Sequence, residues 1–402
     1  MKTKKLPGGW NEVKIGDICL VDSGQGAPQG ENYFRGTEVF VRAGDLNNLK
    51  EGVFVGEHCR KVTNEAIKKY KLKKYKKGSI VFPKSGMSIM TGNIAILNED
   101  SYVVNHLAIL ESSTKINIKF LFYILKKVGI KNLCLNTSYP SIRLSDIKHQ
   151  KILLPSLEIQ KQIVLILEKA ERAKVWRKEA DELTKNFLKS VFVDMFGDLT
   201  EYSKSEIKDL CELITQGPNP QLNNGEESDD YGFIKTKDVY DDIIYYDKIN
   251  MLSKKEFEKY KKFELLDNDV LLAIVGFGSI GKINIFRKIE NRRVIPTRAL
   301  SVIRLDKNKV NPRFFKFFFQ MAFGTKIVEN WTGGSTGQLI VKVSSIKSYK
   351  LPLPPIFLQN KFAEIVKEFE SIREQQKQSK EQIDHLFNAL MQKAFKGDLI
   401  KC

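Results

Sequence analysis

The sequence predicts an α+β fold that is built twice: two mixed α/β domains, each followed by a long helix, with the two helices paired as an antiparallel coiled coil. Residues 141–170 return as residues 339–370, and matched residues such as Ser145 and Ser344 stand 199 positions apart. Heptad-spaced apolar residues follow each copy, and short β-branched runs precede it. The period is far longer than the roughly 20–50 residues of a solenoid repeat. The repeat therefore indicates a duplicated domain together with its connector.

The repeat also covers the beginning of each half. Residues 13–19 resemble residues 206–211, and residues 40–45 resemble residues 233–238. Between these segments the halves diverge, so we expect a variable domain in residues 1–150, a spacer helix in 151–200, a second variable domain in 201–350 and a second spacer helix in 351–402. The matched positions of the longest segment are Ser145/Ser344, Ile147/Ile346, Lys148/Lys347, Lys151/Lys350, Leu154/Leu353, Pro155/Pro354 and Gln160/Gln359. Such a pseudo-twofold chain usually meets a partner or target that also has two halves.

The two connectors are predicted to be long helices with a heptad seam. Their apolar positions alternate in steps of four and three, and Pro155 and Pro354 stand where each helix begins. The seam positions are Ile159, Ile163, Ile166, Ala170, Ala173, Ala180, Phe187 and Val191, then Leu358, Phe362, Ile365, Phe369, Ile372, Ile383, Leu386 and Leu390. A narrow apolar seam needs a partner, so we expect the helices to pair with each other. Further apolar residues outside the seam, such as Leu165 and Trp176, predict an additional protein partner.

Each variable domain carries short strands around a glycine-rich turn. Strands are expected at 79–82 and 93–97 in the first domain and at 270–275 and 282–286 in the second, with helices at 117–128 and 311–323. The turn at residues 276–282 matches G-x-G-x-x-G and is one residue short of a P-loop. However, Ile283 stands where a P-loop has Ser or Thr, and the next residues alternate like a strand. We therefore expect a glycine-rich hairpin and not a nucleotide site.

The composition favours a negatively charged partner and an intracellular location. Lys and Arg number 66 against 48 Asp and Glu, which gives a net charge of +18. This excess favours nucleic acid, although a lysine-rich composition alone would also produce it. The five cysteines form no C-x-x-C pair, and Cys19 and Cys211 stand at matching apolar positions, so we expect buried thiols and not a disulfide framework. No secretory signal or membrane span is evident, which predicts a cytoplasmic protein.

No catalytic motif is recognisable. The four histidines are scattered, and no zinc-binding spacing is present. Glu12 and Lys14 resemble the end of a nuclease E-x-K motif but lack a suitably placed upstream carboxylate. The Asn/Asp-Pro-Pro-Tyr/Phe signature of amino-group methyltransferases is missing as well. The sequence therefore predicts a chain without catalysis.

The same motifs occur in the same order in both halves of the chain. In this order the chain resembles the specificity (S) subunit of type I restriction–modification enzymes along essentially its whole length. The resemblance rests on residues 6–10 (LPGGW) followed by 13–17 (VKIGD), the hairpin 278–282 (GSIGK), residues 335–338 (STGQ) followed by 343–347, and the LPLPP segment at 351–355 before a long helix. The first half has residues 136–139 (NTSY) where the second has STGQ. The two loops therefore need not act identically.

The resemblance implies that each variable domain is a target recognition domain for one half of a split double-stranded DNA sequence. The conserved spacer helices would set the distance between the half-sites and dock two methyltransferase (M) subunits. Motor-nuclease (R) subunits would join through the M subunits. S-adenosylmethionine, ATP and Mg would then belong to those partner subunits. This chain is expected to hold no cofactor or metal and to contact no membrane.

Candidate DNA contacts are polar residues at expected loops and strand ends. In the first domain they are Arg42, Lys84, Ser85, Ser88, Thr137, Ser138 and Tyr139. In the second they are Lys235, Thr236, Ser279, Lys282, Arg298, Ser335, Thr336 and Gln338. Two alternatives remain open: a duplicated nucleic-acid-binding protein without sequence specificity, and an enzyme whose site carries no known motif.

Overall fold

The computed structural model describes residues 8–49, 54–56, 58–134, 140–221, 226–276, 278–333 and 340–400. The chain divides into two compact units, one of residues 1–179 with 377–402 and the other of residues 180–376. Each unit contains one α/β domain and a segment from each of two long helices. The domain boundaries expected at residues 150, 200 and 350 follow chain order and stay a prediction.

The first half of the chain runs from an opening strand to the first long helix. Its elements are β1 (Asn11–Lys14), α1 (Ile15–Ile18), β2 (Cys19–Ser23), β3 (Glu38–Val41), β4 (Phe54–Val55), β5 (Arg60–Val62), α2 (Asn64–Lys69), β6 (Lys74–Tyr75), β7 (Ile80–Pro83), β8 (Ala95–Leu97), β9 (Ser101–Val103), β10 (Leu107–Ser112), α3 (Ile118–Val128), α4 (Leu144–His149), β11 (Lys151–Leu154) and α5 (Leu157–Phe196).

The second half repeats this order with local changes. Its elements are β12 (Lys204–Glu206), β13 (Cys211–Gln216), β14 (Ser228–Ile234), β15 (Asn250–Leu252), α6 (Lys254–Tyr260), β16 (Val270–Ala273), β17 (Ile283–Ile285), β18 (Arg293–Pro296), β19 (Leu300–Leu305), α7 (Pro312–Gln320), α8 (Ala322–Asn330), β20 (Thr332–Gly333), β21 (Ile340–Val341), α9 (Val343–Ser348), β22 (Lys350–Pro352) and α10 (Ile356–Ala394).

The two domains have corresponding sheets, each with one strand fewer in the second domain. The first has sheets ordered β2-β10-β7-β8-β4 and β5-β3-β9-β6, and the second has β13-β19-β16-β17 and β15-β14-β18. The predicted glycine-rich hairpin is confirmed, because β16 pairs with β17 in antiparallel register and Val270 lies opposite Ile285. The opening strand of each domain pairs with its last strand, β1 with β11 and β12 with β22. This pairing brings the beginning and the end of each domain together.

Within each unit, the long helices are antiparallel. In the first unit, Ile163 and Leu167 near the start of α5 share a core with Met391 in the last turn of α10 and with Phe395 just after it. In the second unit, the later part of α5 shares a core with the first part of α10. The beginning of one helix therefore packs with the end of the other, as the duplicated seam predicted.

The seam assignment is wrong at some positions. Ile372 and Leu386, which the heptad placed in the seam, are 41% and 55% exposed. By contrast, Val164 and Leu167, which it left outside the seam, are buried in the core of the first domain. The physical reason is that each helix packs on its own domain as well as on the other helix, so the most buried face follows the domain and not the heptad.

A buried glutamine joins each domain to its helix. Gln160 is fully buried, accepts a hydrogen bond from the backbone N–H of Asn117 at 2.8 Å, and donates one to the carbonyl of Pro155 at 2.9 Å. Gln359 is also fully buried and repeats both bonds, accepting from the N–H of Asn311 at 3.0 Å. Asn117 and Asn311 cap the domain helices α3 and α7. The amide groups therefore connect the first turn of each domain helix to the first turn of each long helix.

Two cysteines occupy matching core positions. Cys19 is buried, and Cys211 is half-buried against the second core. Burial raises the pKa of both thiols to about 12, which is consistent with inert packing groups. Among the described residues, no helix is long and apolar enough to cross a membrane.

Candidate DNA interface

The loops that follow the strands of the first domain meet at one edge of its sheets. Strands β3 and β9 are parallel, and the N–H of Val104 donates to the carbonyl of Val41 at 2.9 Å just beyond them. The N–H of Asn105 donates to the carbonyl of Gln25 at 2.8 Å. We call this edge the first strand-end surface; its polar residues are Gln25, Arg42, Lys84, Ser85, Asn105 and His106.

Arg42 is held at this surface by an aspartate. A short 3-10 helix, Ala43–Asn48, begins directly after Arg42, and the Asp45 carboxylate accepts the backbone N–H of Arg42 at 2.7 Å. The same carboxylate lies 3.6 Å from the guanidinium, whose side chain is 42% exposed. Arg42 is therefore an oriented cation that can still reach a ligand in solvent.

Ser85 and His106 form a hydrogen-bonded pair at the same surface. Ser85 Oγ lies 2.7 Å from His106 Nδ1, and the pair is open to solvent. The backbone supports it, because the N–H of Lys84 donates to the carbonyl of His106 at 2.9 Å. Ser88 lies in the following 3-10 turn, Met87–Thr91, with Oγ 3.4 Å from the carbonyl of Ser85. Lys84, Ser85 and Ser88 are thus neighbours along one loop.

The second domain repeats this frame. Strands β14 and β18 are parallel, and the N–H of Thr297 donates to the carbonyl of Ile234 at 2.9 Å, as Val104 and Val41 do in the first domain. Lys235 takes the place of Arg42, since its backbone N–H donates to the Asp238 carboxylate at 3.0 Å. We call this edge the second strand-end surface; its polar residues are Gln216, Lys235, Thr236, Thr297 and Arg298.

Asp238 is buried beneath the second strand-end surface. Burial raises the pKa of its carboxyl group, while the hydrogen bond from the Lys235 backbone and the nearby lysines oppose that rise. Arg298 is exposed, and its backbone carbonyl accepts a hydrogen bond from Gln216 Nε2 at 2.6 Å. The loop that carries Arg298 is therefore anchored, while its guanidinium lies at the surface.

The glycine-rich hairpin adds a further cation to the second domain. Lys282 Nζ lies 4.1 Å from the centre of the Tyr240 ring, a cation–π contact. The carbonyl of Tyr240 accepts a hydrogen bond from Asn284 Nδ2 at 2.7 Å, which holds the ring beside the hairpin. The N–H of Ser279 donates to the carbonyl of Gly276 at 3.1 Å within the turn. Ser279 and Lys282 thus both lie in the segment between β16 and β17.

The structure brings together two groups of the predicted contacts and leaves others undescribed. Arg42, Lys84 and Ser85 meet at the first strand-end surface, while Lys235, Thr236 and Arg298 meet at the second. Outside the described residues lie Thr137, Ser138, Tyr139, Ser335, Thr336 and Gln338. Sequence reasoning missed Gln25, Asn105, His106 and Tyr240. The segment 101–106 (SYVVNH) carried a usable signal, since two polar residues directly follow an apolar strand run.

Three lysines of the lysine-rich segment 68–77 pair with groups of their own domain. Lys73 Nζ lies 2.5 Å from the Asp22 carboxylate, and Lys74 Nζ lies 2.5 Å from that of Glu38. Lys69 Nζ donates to the hydroxyl of Tyr33 at 2.6 Å. The hydrogen bonds raise the pKa of all three ammonium groups. These three ammonium groups are therefore already paired within the domain.

A domain copied twice, antiparallel helices within each unit and two polar, cationic strand-end surfaces are the features expected of a duplicated DNA-recognition protein. The family model of the type I restriction modification DNA specificity domain matches residues 7–184 and again residues 200–385. The chain belongs to this family and carries its domain twice. The resemblance inferred from the motifs is confirmed.

Similar proteins are named as specificity subunits of type I systems. The putative type I restriction enzyme MjaX specificity subunit of Methanocaldococcus jannaschii is 26% identical, over 98% of this chain and 95% of that subunit. The MjaIX specificity subunit of the same organism is 35% identical over 156 residues, which are 38% of this chain but only 35% of that subunit. A solved S subunit from M. genitalium shares the fold, with a TM-score of 0.56, 14% identity and 98% coverage of both chains.

Proposed function

We propose that this DNA specificity subunit reads a bipartite target, one half with each domain, and docks two M subunits without performing chemistry itself. The proposal rests on one observation. The same backbone arrangement at the strand ends occurs in both domains, with a cation at the equivalent position and different polar residues beside it. Arg42 and Lys235 occupy equivalent positions, each with an aspartate on its backbone N–H. Contacts to phosphate position a protein on DNA, whereas contacts to base edges specify the sequence. Shared cations and divergent polar residues fit this division of roles.

Exposed apolar side chains on the long helices support protein partners. Leu165 and Trp176 on α5 are 56% and 61% exposed in the first unit. Leu183 on α5 and Phe357 on α10 are each 70% exposed in the second. Trp and Phe are enriched in protein interfaces. M subunits would cover these residues, supply S-adenosylmethionine and connect the R subunits, which use ATP and Mg; this chain would hold none of these cofactors.

The test is to purify the chain with an M subunit from the same type I system and map methylated adenines on random duplexes. We expect a bipartite motif with a spacer of constant length, and unmethylated DNA when this chain is left out. A continuous motif would refute the two-domain reading. Methylation spread over all adenines in the complex would favour the alternative, a duplicated nucleic-acid-binding protein without sequence specificity. Methyl transfer by the isolated chain would refute the non-catalytic role.

A further inference from the structure

We propose that the hydrogen-bonded pair of Ser85 and His106 reads a base edge in the first half of the DNA target, whereas the second domain reads its half from a different position, Arg298. The inference rests on the proposed function and assigns its specificity to particular side chains.

The backbone hydrogen bonds establish which residues are equivalent. The N–H of Lys84 donates to the carbonyl of His106 at 2.9 Å, and the N–H of Ile274 donates to the carbonyl of Ala299 at 2.9 Å. Lys84 and Ile274 directly follow the central strands β7 and β16, and His106 and Ala299 lie in the loops after the parallel-paired strands β9 and β18. Lys84 therefore corresponds to Ile274, which is buried, and His106 corresponds to Ala299.

One residue further along, Ser85 corresponds to Val275. Both form an isolated bridge to the segment that leads into the last helix of the domain, Ser85 with Ser141 and Val275 with Ile340. The second domain thus forms the same backbone frame with Val and Ala in place of Ser and His. The side-chain pair is therefore not required to hold the strands together. Since an exposed hydrogen bond contributes little net stability, a purely structural role does not explain the pair.

The pair is suited to reading a base edge. The 2.7 Å contact between Ser85 Oγ and His106 Nδ1 orients the ring and leaves Nε2 on its opposite side. If the hydroxyl donates to Nδ1, Nε2 carries a hydrogen and donates; in the other tautomer Nε2 accepts and the serine hydroxyl is free to donate. Either form presents a donor that matches the acceptors of purines and thymine in the major groove.

The second domain offers different chemistry at a neighbouring position. Arg298 follows Thr297 in the loop after β18, where the first domain has Asn105 after Val104. Its backbone is held by Gln216 at 2.6 Å and its side chain is exposed. A guanidinium matches the paired acceptors of guanine. The two surfaces thus share one backbone frame but present different donors, as two different half-sites require.

The experiment compares His106→Ala, His106→Gln and Ser85→Ala with wild type, each purified with an M subunit and assayed for methylation of duplexes carrying every single-base change in the motif. We expect discrimination at one or two base pairs of the first half-site to fall about 10-fold, with the second half-site unaffected. Arg298→Ala should lower discrimination in the second half-site and leave the first half-site unaffected. His149→Ala, which changes an exposed histidine of the same domain in the last turn of α4, is the matched control and should behave as wild type.

Two outcomes would overturn the inference. If the His106 and Ser85 variants weaken methylation equally on every sequence, the pair contacts phosphate and not bases. If discrimination in the first half-site is unchanged in a variant that melts at the wild-type temperature, the pair does not read the target at all. A wild-type complex without any bipartite preference would refute the proposed function instead, so the two failures are distinguishable.

Discussion

At the scale of single residues, buried polar groups decide how each domain is joined to its helix. The side chains of Gln160 and Gln359 are fully buried; each accepts from one backbone N–H and donates to backbone carbonyl oxygen, Gln359 to that of Pro354 and Gln160 to those of Pro155 and Lys115. Buried polar groups are costly unless paired, so such a bridge specifies one arrangement of the groups that it joins. The repeat matched these glutamines at the sequence level, but only the structure shows what they bind.

Replacing Gln359 with Leu should destabilise the second unit by about 2 kcal/mol, because the N–H of Asn311 and the carbonyl of Pro354 lose their partner. Urea or thermal unfolding measures the loss. Gln382→Leu makes the same change at an exposed site on the same helix and should alter the free energy of unfolding by less than about 0.5 kcal/mol. Equal stability of the two variants would contradict the proposed role of Gln359.

At the scale of elements, each long helix is attached to its own domain by both apolar packing and ion pairs. On α5, the Glu171 carboxylate accepts from Tyr123 Oη at 2.6 Å and lies 2.6 Å from Lys126 Nζ, both on α3. On α10, Glu370 lies 2.9 Å from the guanidinium of Arg313 on α7. Exposed ion pairs add little stability, so these contacts orient the helices while the apolar core holds them.

A charge in that apolar core should disrupt the second unit. Phe362 is fully buried, with its ring centre 5.2–5.4 Å from those of Phe192, Phe196 and Phe317. Phe362→Glu should therefore cost about 4 kcal/mol or more, from lost packing and a buried carboxylate. Phe357→Glu makes the same change on the same helix at a side chain that is 70% exposed and should barely change the melting temperature. Similar melting of both variants would show that the buried face is assigned wrongly.

At the scale of the whole molecule, the two compact units do not coincide with the two halves of the sequence. Residues 377–402 belong to the first unit, although they follow the second domain in the chain. Phe387, Met391 and Phe395 lie in the core of the first domain, and the Phe395 ring centre is 5.4 Å from that of Phe120. The end of the chain thus completes a core that begins near its start.

Truncation after Gln376 should therefore destabilise the first domain, about 250 residues away in sequence, because its core loses these C-terminal side chains. Hydrogen exchange measured by mass spectrometry should show faster exchange in α3, while peptides of the second unit keep their protection. Truncation after Ile400 is the control, since it leaves every side chain of that core in place. Unchanged exchange in α3 after the longer truncation would contradict the assignment of these residues to the first core.

The duplication, the mixed α/β class, the long helices, the glycine-rich hairpin and the family could all be predicted from the sequence, because internal repeats, short motifs and local periodicity are visible in the order of the residues. The sequence also placed Arg42 and Lys235 at equivalent strand ends. The structure was needed to show that His106 pairs with Ser85, that Ala299 and Val275 occupy the equivalent positions in the second domain, and that the last turns of α10 complete the core of the first unit. These contacts join residues from 21 to more than 200 positions apart, and divergent loops carry no pattern that predicts them.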